Sequence, residues 1–201
     1  MLDFCGDATR VLPDHAVRLA ASVVTIGAFD GVHLGHQSLV RGAVAEAREI
    51  GVPAVVWTFD PPPKVMFGRA EPLVSTAGKL ARLAALGPDV IVLASFTRAY
   101  AARPAAAFLA DLARIAPRRV HVGADFRFGA GQAGDVALLA RHLPVHVPRK
   151  LCCPAGVPVS STRIRALLRA GRPAEAQALM TGGFPARAAG HRLIEDFRGR
   201  I

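Results

Sequence analysis

The sequence predicts an α/β protein built on a Rossmann-like, doubly wound sheet of five mostly parallel strands with helices on both faces. Short runs of β-branched and aliphatic residues alternate along the chain with segments whose apolar residues recur at helical spacing. Strands that alternate with helices build right-handed βαβ units, and these units form a parallel sheet covered on both faces. A hydrophobic fraction of 52% is sufficient for the core that such a sheet requires.

The individual elements follow from local patterns. The β-branched run 22–26 predicts the first strand, and helical spacing of apolar residues over 35–50 predicts the first helix, which Gly51 closes. The second strand, 53–59, is stopped by Asp60 and three prolines, because proline cannot continue a β-ladder. The same criteria then predict helix 75–86, strand 89–94, helix 103–115, strand 119–123, helix 135–142, strand 144–147, and helices 160–169 and 173–180.

Residues 1–181 are therefore predicted to form one domain, followed by a C-terminal extension over 182–201. The extension is rich in glycine and arginine and carries a weak helical pattern at 191–197. No apolar run reaches the ~18 residues of a membrane-spanning helix, and the N-terminus lacks the apolar core of a secretory signal. The three cysteines have no metal-like spacing, so we expect a cytoplasmic protein with reduced thiols and no membrane contact.

The charge of the chain favours a small anionic ligand over nucleic acid. Lys and Arg total 25 against 15 Asp and Glu, which gives a net charge of +10. Arginines scattered along the chain supply most of this charge, and the single Trp and single Tyr offer few surfaces on which nucleic-acid bases could stack. A nucleotide substrate agrees better with this composition, whereas nothing in the sequence indicates an oligomeric state.

The strongest motif, GAFDGVHLGH, follows the first predicted strand. Gly27 and Gly31 let the backbone approach a ligand, and His33 and His36 lie three residues apart where a helix begins. Free N–H groups at a helix N-terminus attract phosphate, and two imidazoles would neutralise charge that develops on a phosphoryl group. Two histidines at this spacing also suit an incomplete metal site or polar core residues, but no carboxylate or thiol at ligand spacing completes a metal site.

Two further motifs carry weaker signals. In SSTRIR, Ser160 or Ser161 can cap a helix, the first turn can hold a second anion, and Arg165 can offer a planar fork to phosphate oxygens. Taken alone, this segment is better explained as an ordinary capped helix with solvated arginines, because Ser and Thr caps are common. In GADFRFG, Asp125 stands among phenylalanine rings at the end of a strand, a pattern that packing around a turn also explains.

In this order, GxFDGxHxGH, GxDFRFG and SSTRIR resemble the adenylyltransferase module of prokaryotic FAD synthetases. These are the bifunctional riboflavin kinase/FMN adenylyltransferases of the HxGH nucleotidyltransferase superfamily, and the resemblance covers about residues 22–180. It implies transfer of AMP from ATP to FMN with Mg²⁺, giving FAD and pyrophosphate. The attack by the FMN phosphate on the α-phosphorus needs no protein nucleophile, so positioning and charge neutralisation suffice.

The resemblance also implies roles for individual residues, although it identifies no metal ligand. Those implied to be catalytic are His33, His36 and Arg165. Those implied to bind ATP are Gly27, Phe29, Asp30, Gly31, Ser160, Ser161 and Thr162. Those implied to bind the flavin are Asp125, Phe126, Phe128 and Phe59.

Three departures from the family pattern qualify these implications. The family usually shows Phe-x-Pro-His-Pro after the second strand, where this chain has Pro62 instead of histidine, and Gln132 stands where a basic residue is usual. The sequence also stops where the riboflavin kinase barrel of the family would begin, so we expect no riboflavin kinase activity. Two alternatives stay open: a nucleotidyltransferase with a different phosphate acceptor, and a flavin or nucleotide sensor without turnover.

Overall fold

The computed structural model describes residues 8–153, 156–181 and 192–195, the last as backbone only. The strands of the main sheet are β1 (Ala8–Pro13), β2 (Ser22–Ile26), β3 (Ala54–Asp60), β4 (Val90–Ser95), β5 (Pro117–His121), β8 (Val145–His146) and β9 (Arg192–Glu195). A separate two-stranded ribbon consists of β6 (Arg127–Phe128) and β7 (Gly134–Asp135), with a 3₁₀ turn at Ala130–Gln132. The helices are α1 (Leu34–Glu49), α2 (Pro63–Met66), α3 (Thr76–Ala84), α4 (Arg98–Ala101), α5 (Ala105–Ala113), α6 (Val136–Ala140), α7 (Ser161–Arg169) and α8 (Pro173–Thr181).

The main sheet confirms the predicted fold class. Its strand order is β8-β5-β2-β3-β4-β1-β9, and every neighbouring pair is parallel. All five predicted strands lie in it, but the count of five is wrong because β1 and β9 extend the sheet beyond β4. The predicted strand 144–147 is reduced to the two residues of β8 at the opposite edge.

The helical pattern predicted over 191–197 is wrong for residues 192–195, which form β9 beside β1; 191, 196 and 197 lie outside the described residues. An exposed edge strand offers a row of unpaired backbone groups, and pairing with them outweighs a weak local helical preference. The rest of the predicted C-terminal extension also lies outside the described residues. β1 escaped prediction because it is short and mixes arginine and proline with apolar residues.

Side chains of the sheet alternate between two cores. On one face Ala54 and Val56 of β3 pack with α1 and α3, and on the other face Val55 and Trp57 pack with α5. The Trp57 ring is completely buried. A polar contact also ties α1 to β5, because Glu46 bonds to both Arg119 and His121. The sheet is therefore held rigidly between its helical layers.

The strand order places the site. From β2 the chain adds β3 and then β4 on one side, and it afterwards returns to place β5 on the other side of β2. In open α/β sheets, the crevice at such a reversal, beyond the carboxyl ends of the strands, is where ligands bind. The loop between β2 and α1, which carries the histidine pair, leaves the sheet at this point.

Candidate active site

The β2–α1 loop holds an unusual backbone conformation. Phe29 and Val32 have φ angles of 48° and 46°, in a left-handed region that side chains other than glycine rarely adopt. Gly31, at φ 82°, lies between them, and a Cβ atom on Gly27 would lie 3.0 Å from the ring of Phe29. Such conformations cost on the order of 1–3 kcal/mol each and persist only when their surroundings enforce them. The buried ring of Phe29 is part of that enforcement.

The two histidines form a stacked pair at the beginning of α1. His33 is the N-cap residue, and its Nδ1 accepts a hydrogen bond from the backbone N–H of His36 at 3.3 Å. The two imidazole rings stack with centroids 3.6 Å apart, and the rings of Phe29 and His36 are nearly perpendicular with centroids 5.3 Å apart. Nδ1 of His36 is buried and has no hydrogen-bond partner within the described chain. The pair is thus oriented by the protein and keeps a polar atom for another partner.

Burial keeps both imidazoles neutral at pH 7. Desolvation lowers the pKa of His33 to about 4, against a smaller opposing effect of a backbone hydrogen bond. Desolvation, and then repulsion from His33, lower the pKa of His36 well below its usual 6.5. The pair is therefore uncharged at pH 7.

The N-terminus of α7 lies against the β2–α1 loop. The hydroxyl of Ser161 donates to the backbone carbonyl of Asp30 at 2.9 Å, and Ser160 caps α7 by accepting from the backbone N–H of Arg163. A Cβ atom on Gly35 would lie 3.6 Å from the carbonyl oxygen of Val159. The N-termini of α1 and α7 therefore converge on one place, and each brings unpaired N–H groups that favour an anion.

Arg165 and Asp30 form a buried ion pair that stabilises the contact between α7 and the β2–α1 loop. Nη2 of Arg165 bonds to Oδ2 of Asp30, while Nε donates to the carbonyl of Glu71 at 2.9 Å. The other carboxylate oxygen of Asp30 accepts from the backbone N–H of Leu73 at 2.9 Å. Both Nε and Nη2 of Arg165 are thus engaged inside the protein, in contrast to the fork toward phosphate that the sequence suggested. Thr162 is exposed on the first turn of α7.

The predicted flavin residues divide into buried and accessible ones. Phe59 and Phe128 are buried with Phe108 between the sheet and α5, so packing accounts for most of their contacts. Phe126 is only half-buried and stacks on Phe128 at 5.6 Å. The side chain of Asp125 is 81% exposed and lies 3.8 Å from the ammonium of Lys150.

Sequence reasoning missed two aromatic side chains beyond the ends of β3 and β4. Phe67 follows α2 and is 48% exposed, and its ring meets that of Phe96 edge-on at 6.2 Å. Phe96 also contacts Phe59 at 5.6 Å, so these rings continue the buried cluster to the surface. The available signal was an aromatic residue, Phe67, four positions after the run of three prolines.

A cavity of about 220 Å³ opens beside the β2–α1 loop, between the end of β3 and α3. Its walls are formed by Asp30, Asp60, Pro61, Pro62, Val65, Pro72, Val74, Ser75, Thr76 and Lys79. Lys79 is 2% exposed, and its ammonium donates to the carbonyl of Phe59 at 2.6 Å and lies 4.0 Å from Asp60. Burial lowers the pKa of Lys79, and the carboxylates of Asp60 and Asp30 oppose that shift.

The described residues contain neither a metal-binding cluster nor a membrane-spanning helix. They contain no group of three or more His, Cys, Asp or Glu side chains arranged to hold a metal ion. Within the same ranges, no helix combines the length and the apolar character required to cross a bilayer.

Comparison with known proteins gives a family match and several related proteins. The model of the FAD synthetase family matches residues 16–163. A Geobacillus thermodenitrificans protein, provisionally named bifunctional riboflavin kinase/FMN adenylyltransferase, is 46% identical over 172 residues, which cover 86% of this chain and 95% of that protein. The bifunctional riboflavin kinase/FMN adenylyltransferase of Escherichia coli K12 is 35% identical over 187 residues, which cover 89% of this chain and 59% of the E. coli protein.

A Listeria monocytogenes protein named FAD synthetase is 34% identical over 178 residues, covering 80% of this chain and 68% of that protein. Among solved structures, a Streptococcus pneumoniae chain described as a macrolide-efflux protein shares the fold with a TM-score of 0.74 and 27% identity, covering 86% of this chain and 61% of that one. The resemblance drawn from the three motifs is confirmed: the chain belongs to the FAD synthetase family.

Proposed function

We propose that this protein is an FMN adenylyltransferase that transfers AMP from ATP to FMN. A phosphate oxygen of FMN attacks the α-phosphorus of ATP, the bond from that phosphorus to the bridging oxygen breaks, and pyrophosphate leaves. The observation that carries the proposal is the convergence of two helix N-termini and two stacked imidazoles, within a member of the FAD synthetase family. Such a set of donors suits a triphosphate and contains no nucleophile, which in-line transfer does not need.

In this proposal the loop and α7 hold the triphosphate. Gly27, Phe29 and Gly31 shape the loop, and the first turn of α7 offers the hydroxyl of Thr162 beside its backbone N–H groups. His33 and His36 face the phosphates as preoriented N–H donors. Donors fixed in this way stabilise developing charge without having to reorganise during the reaction.

Arg165 takes a positioning role in the proposal. Its guanidinium is engaged with Asp30 and Glu71, and through Asp30 it holds the strained loop against α7. The hydroxyl of Ser161 supports the same junction. Arg165 thus acts on catalysis by keeping the two helix N-termini together.

The flavin is assigned to the aromatic side of the same sheet edge. Phe126 and Asp125 are the accessible members of the predicted set, whereas Phe59 and Phe128 support them from the core. Mg²⁺ is expected to enter with ATP, because the described residues hold no metal cluster and Mg²⁺ commonly binds through substrate phosphates. When bound, it would neutralise phosphate charge. A cytoplasmic location and the absence of a nucleic-acid partner remain predictions from the sequence.

A nucleotidyltransferase with a different phosphate acceptor is the second candidate. The observation that favours it is Pro62, which lines the cavity beside the loop at a position where the family usually has histidine. The phosphate-binding side is the same in both candidates, so only the acceptor distinguishes them.

The direct test is analysis of products. The protein mixed with FMN and MgATP is expected to form FAD and pyrophosphate in equal amounts, measured by chromatography and a pyrophosphate assay. Riboflavin, which has no phosphate to attack ATP, replaces FMN in a parallel reaction as the acceptor control. A folded protein that binds ATP but neither binds nor converts FMN would rule the proposal out, and pyrophosphate release with another phosphate ester would favour the second candidate.

Replacing His36 tests the histidine pair. His36→Ala is expected to lower kcat by roughly 10²–10³, the range for loss of one preoriented donor that stabilises developing charge. His142→Ala is the matched control, because His142 is exposed and outside the site, and it should leave kcat unchanged. Turnover of FMN at saturating MgATP measures the effect, and wild-type kcat in His36→Ala would exclude a catalytic role for the pair.

Replacing Arg165 distinguishes its positioning role from direct phosphate binding. Arg165→Ala leaves the carboxylate of Asp30 buried without its cation, so the free energy of unfolding is expected to fall by about 3–5 kcal/mol. Arg169→Ala, an exposed position on the same helix, should change it little. Urea denaturation measures both variants, and unchanged stability with lost turnover in Arg165→Ala would instead support direct contact with phosphate.

A further inference from the structure

The backbone carbonyl groups of the β2–α1 loop are held mainly by side chains from outside the loop. Within the loop, the backbone N–H of Val32 donates to the carbonyl of Phe29 at 3.1 Å. The other carbonyls accept from side chains of four elements: Ala28 from Thr58 of β3, Asp30 from Ser161 of α7, Gly31 from Arg82 of α3, and Val32 from Gln37 of α1. Because buried carbonyl groups need a partner, these side chains stabilise a backbone conformation that is otherwise costly.

Gln37 differs from the other three because its amide bonds to two backbone carbonyls. The side chain is 1% exposed, and Nε2 donates to the carbonyl of Val32 at 2.9 Å and to that of Met180 at 2.7 Å. An amide nitrogen has two hydrogens, so both are used inside the protein. The opposite orientation of the amide would place Oε1 against two carbonyl oxygens, so these partners determine which atom is the nitrogen. The amide therefore joins the loop to the end of α8.

The end of α8 is a fixed point for this contact. Met180 lies in the last turn of α8, where carbonyl groups have no partner within the helix. Its side chain is buried in an apolar cluster with Ile164 and Leu167 of α7. Its Sδ also lies 4.0 Å from Nη1 of Arg82, the group that donates to the Gly31 carbonyl at 3.1 Å. The loop is thus held against a packed pair of helices.

The carbonyl that Gln37 holds is next to the histidine pair. Val32 has a φ angle of 46°, and its carbonyl belongs to the same planar peptide unit as the backbone N–H of His33. A planar unit turns as one body, so a bond to this carbonyl also fixes the direction of the backbone at His33. The backbone N–H of Gln37 donates to the carbonyl of His33 at 2.9 Å. One residue therefore holds the main chain on both sides of His33.

We propose that Gln37 is a positioning residue, which holds the peptide between Val32 and His33 against the end of α8 and so orients the two imidazoles. It acts through His33 and His36, because its side chain is buried and both of its amide hydrogens are bonded within the protein. Its effect on turnover rests on the proposed function. Its effect on the orientation of the rings does not.

The first experiment measures turnover. Gln37→Met keeps the length of the side chain and removes both N–H donors, and kcat with FMN at saturating MgATP is expected to fall roughly 10- to 100-fold, as for a small misplacement of catalytic groups. Thr9→Val is the matched control. Thr9 is fully buried, and its hydroxyl donates to the carbonyl of Pro88 at 2.7 Å, at the opposite end of the strands from the loop. This variant also loses a buried hydrogen bond, but it should keep the wild-type kcat.

The second experiment observes the imidazoles without substrate, by NMR titration of their ring nitrogens. In wild-type protein, burial lowers the pKa of His33 to about 4 and that of His36 well below 6.5, so neither ring should titrate between about pH 5.5 and pH 8. In Gln37→Met the loop loosens and water reaches the rings, so the pKa of His33 is expected to rise toward 6.5. Thr9→Val should titrate as the wild type does.

The two measurements separate this inference from the proposed function. Unchanged titration of both rings in folded Gln37→Met would overturn the inference, as would a wild-type kcat in that variant when the wild-type protein forms FAD. If the wild-type protein forms no FAD but Gln37→Met changes the titration, the proposed function fails and the positioning role stands. Gln37→Leu, which also lacks a donor, replaces Gln37→Met if that variant does not fold. Failure of both variants to fold would overturn the inference, because Gln37 would then support the whole fold.

Discussion

The candidate site depends on one buried interaction, the ion pair between Asp30 and Arg165. These residues are 135 positions apart in the sequence, and together with the hydroxyl of Ser161 they join the β2–α1 loop to the beginning of α7. The loop carries two residues other than glycine in the left-handed region, a conformation that requires support from its surroundings. Asp30 also lines the cavity beside the loop. The proposed phosphate site therefore depends on this ion pair.

The chemistry that this junction supports is electrostatic. Two helix N-termini offer oriented N–H groups, and two imidazoles are neutral because burial lowers their pKa values. A neutral, preoriented pair of imidazoles costs less to bury than a permanently charged one. Transfer of a nucleotidyl group between phosphates needs this kind of positioning and charge neutralisation, and it needs no covalent intermediate on the protein.

Local patterns predicted the fold class because hydrophobic periodicity and chain breakers determine most elements here. The run at Ser22–Ile26 and the helix that Gly51 closes are examples. What local patterns could not predict were pairings across long stretches of sequence. The strand Arg192–Glu195 forms by pairing with β1 at the edge of the sheet. Arg165 is buried in an ion pair with Asp30, which belongs to a different motif. No local pattern singles out Lys79, because its burial arises only when α3 packs against the end of β3.

The central claim is that one triphosphate lies between the N-termini of α1 and α7. A crystal structure of the protein with an ATP analogue whose α–β bridge cannot be cleaved tests it most directly. Phosphate oxygens within hydrogen-bond distance of both the imidazole pair and the first-turn N–H groups of α7 are the predicted result. A triphosphate that contacts only one of these two groups, or that lies elsewhere on the sheet edge, would contradict the account.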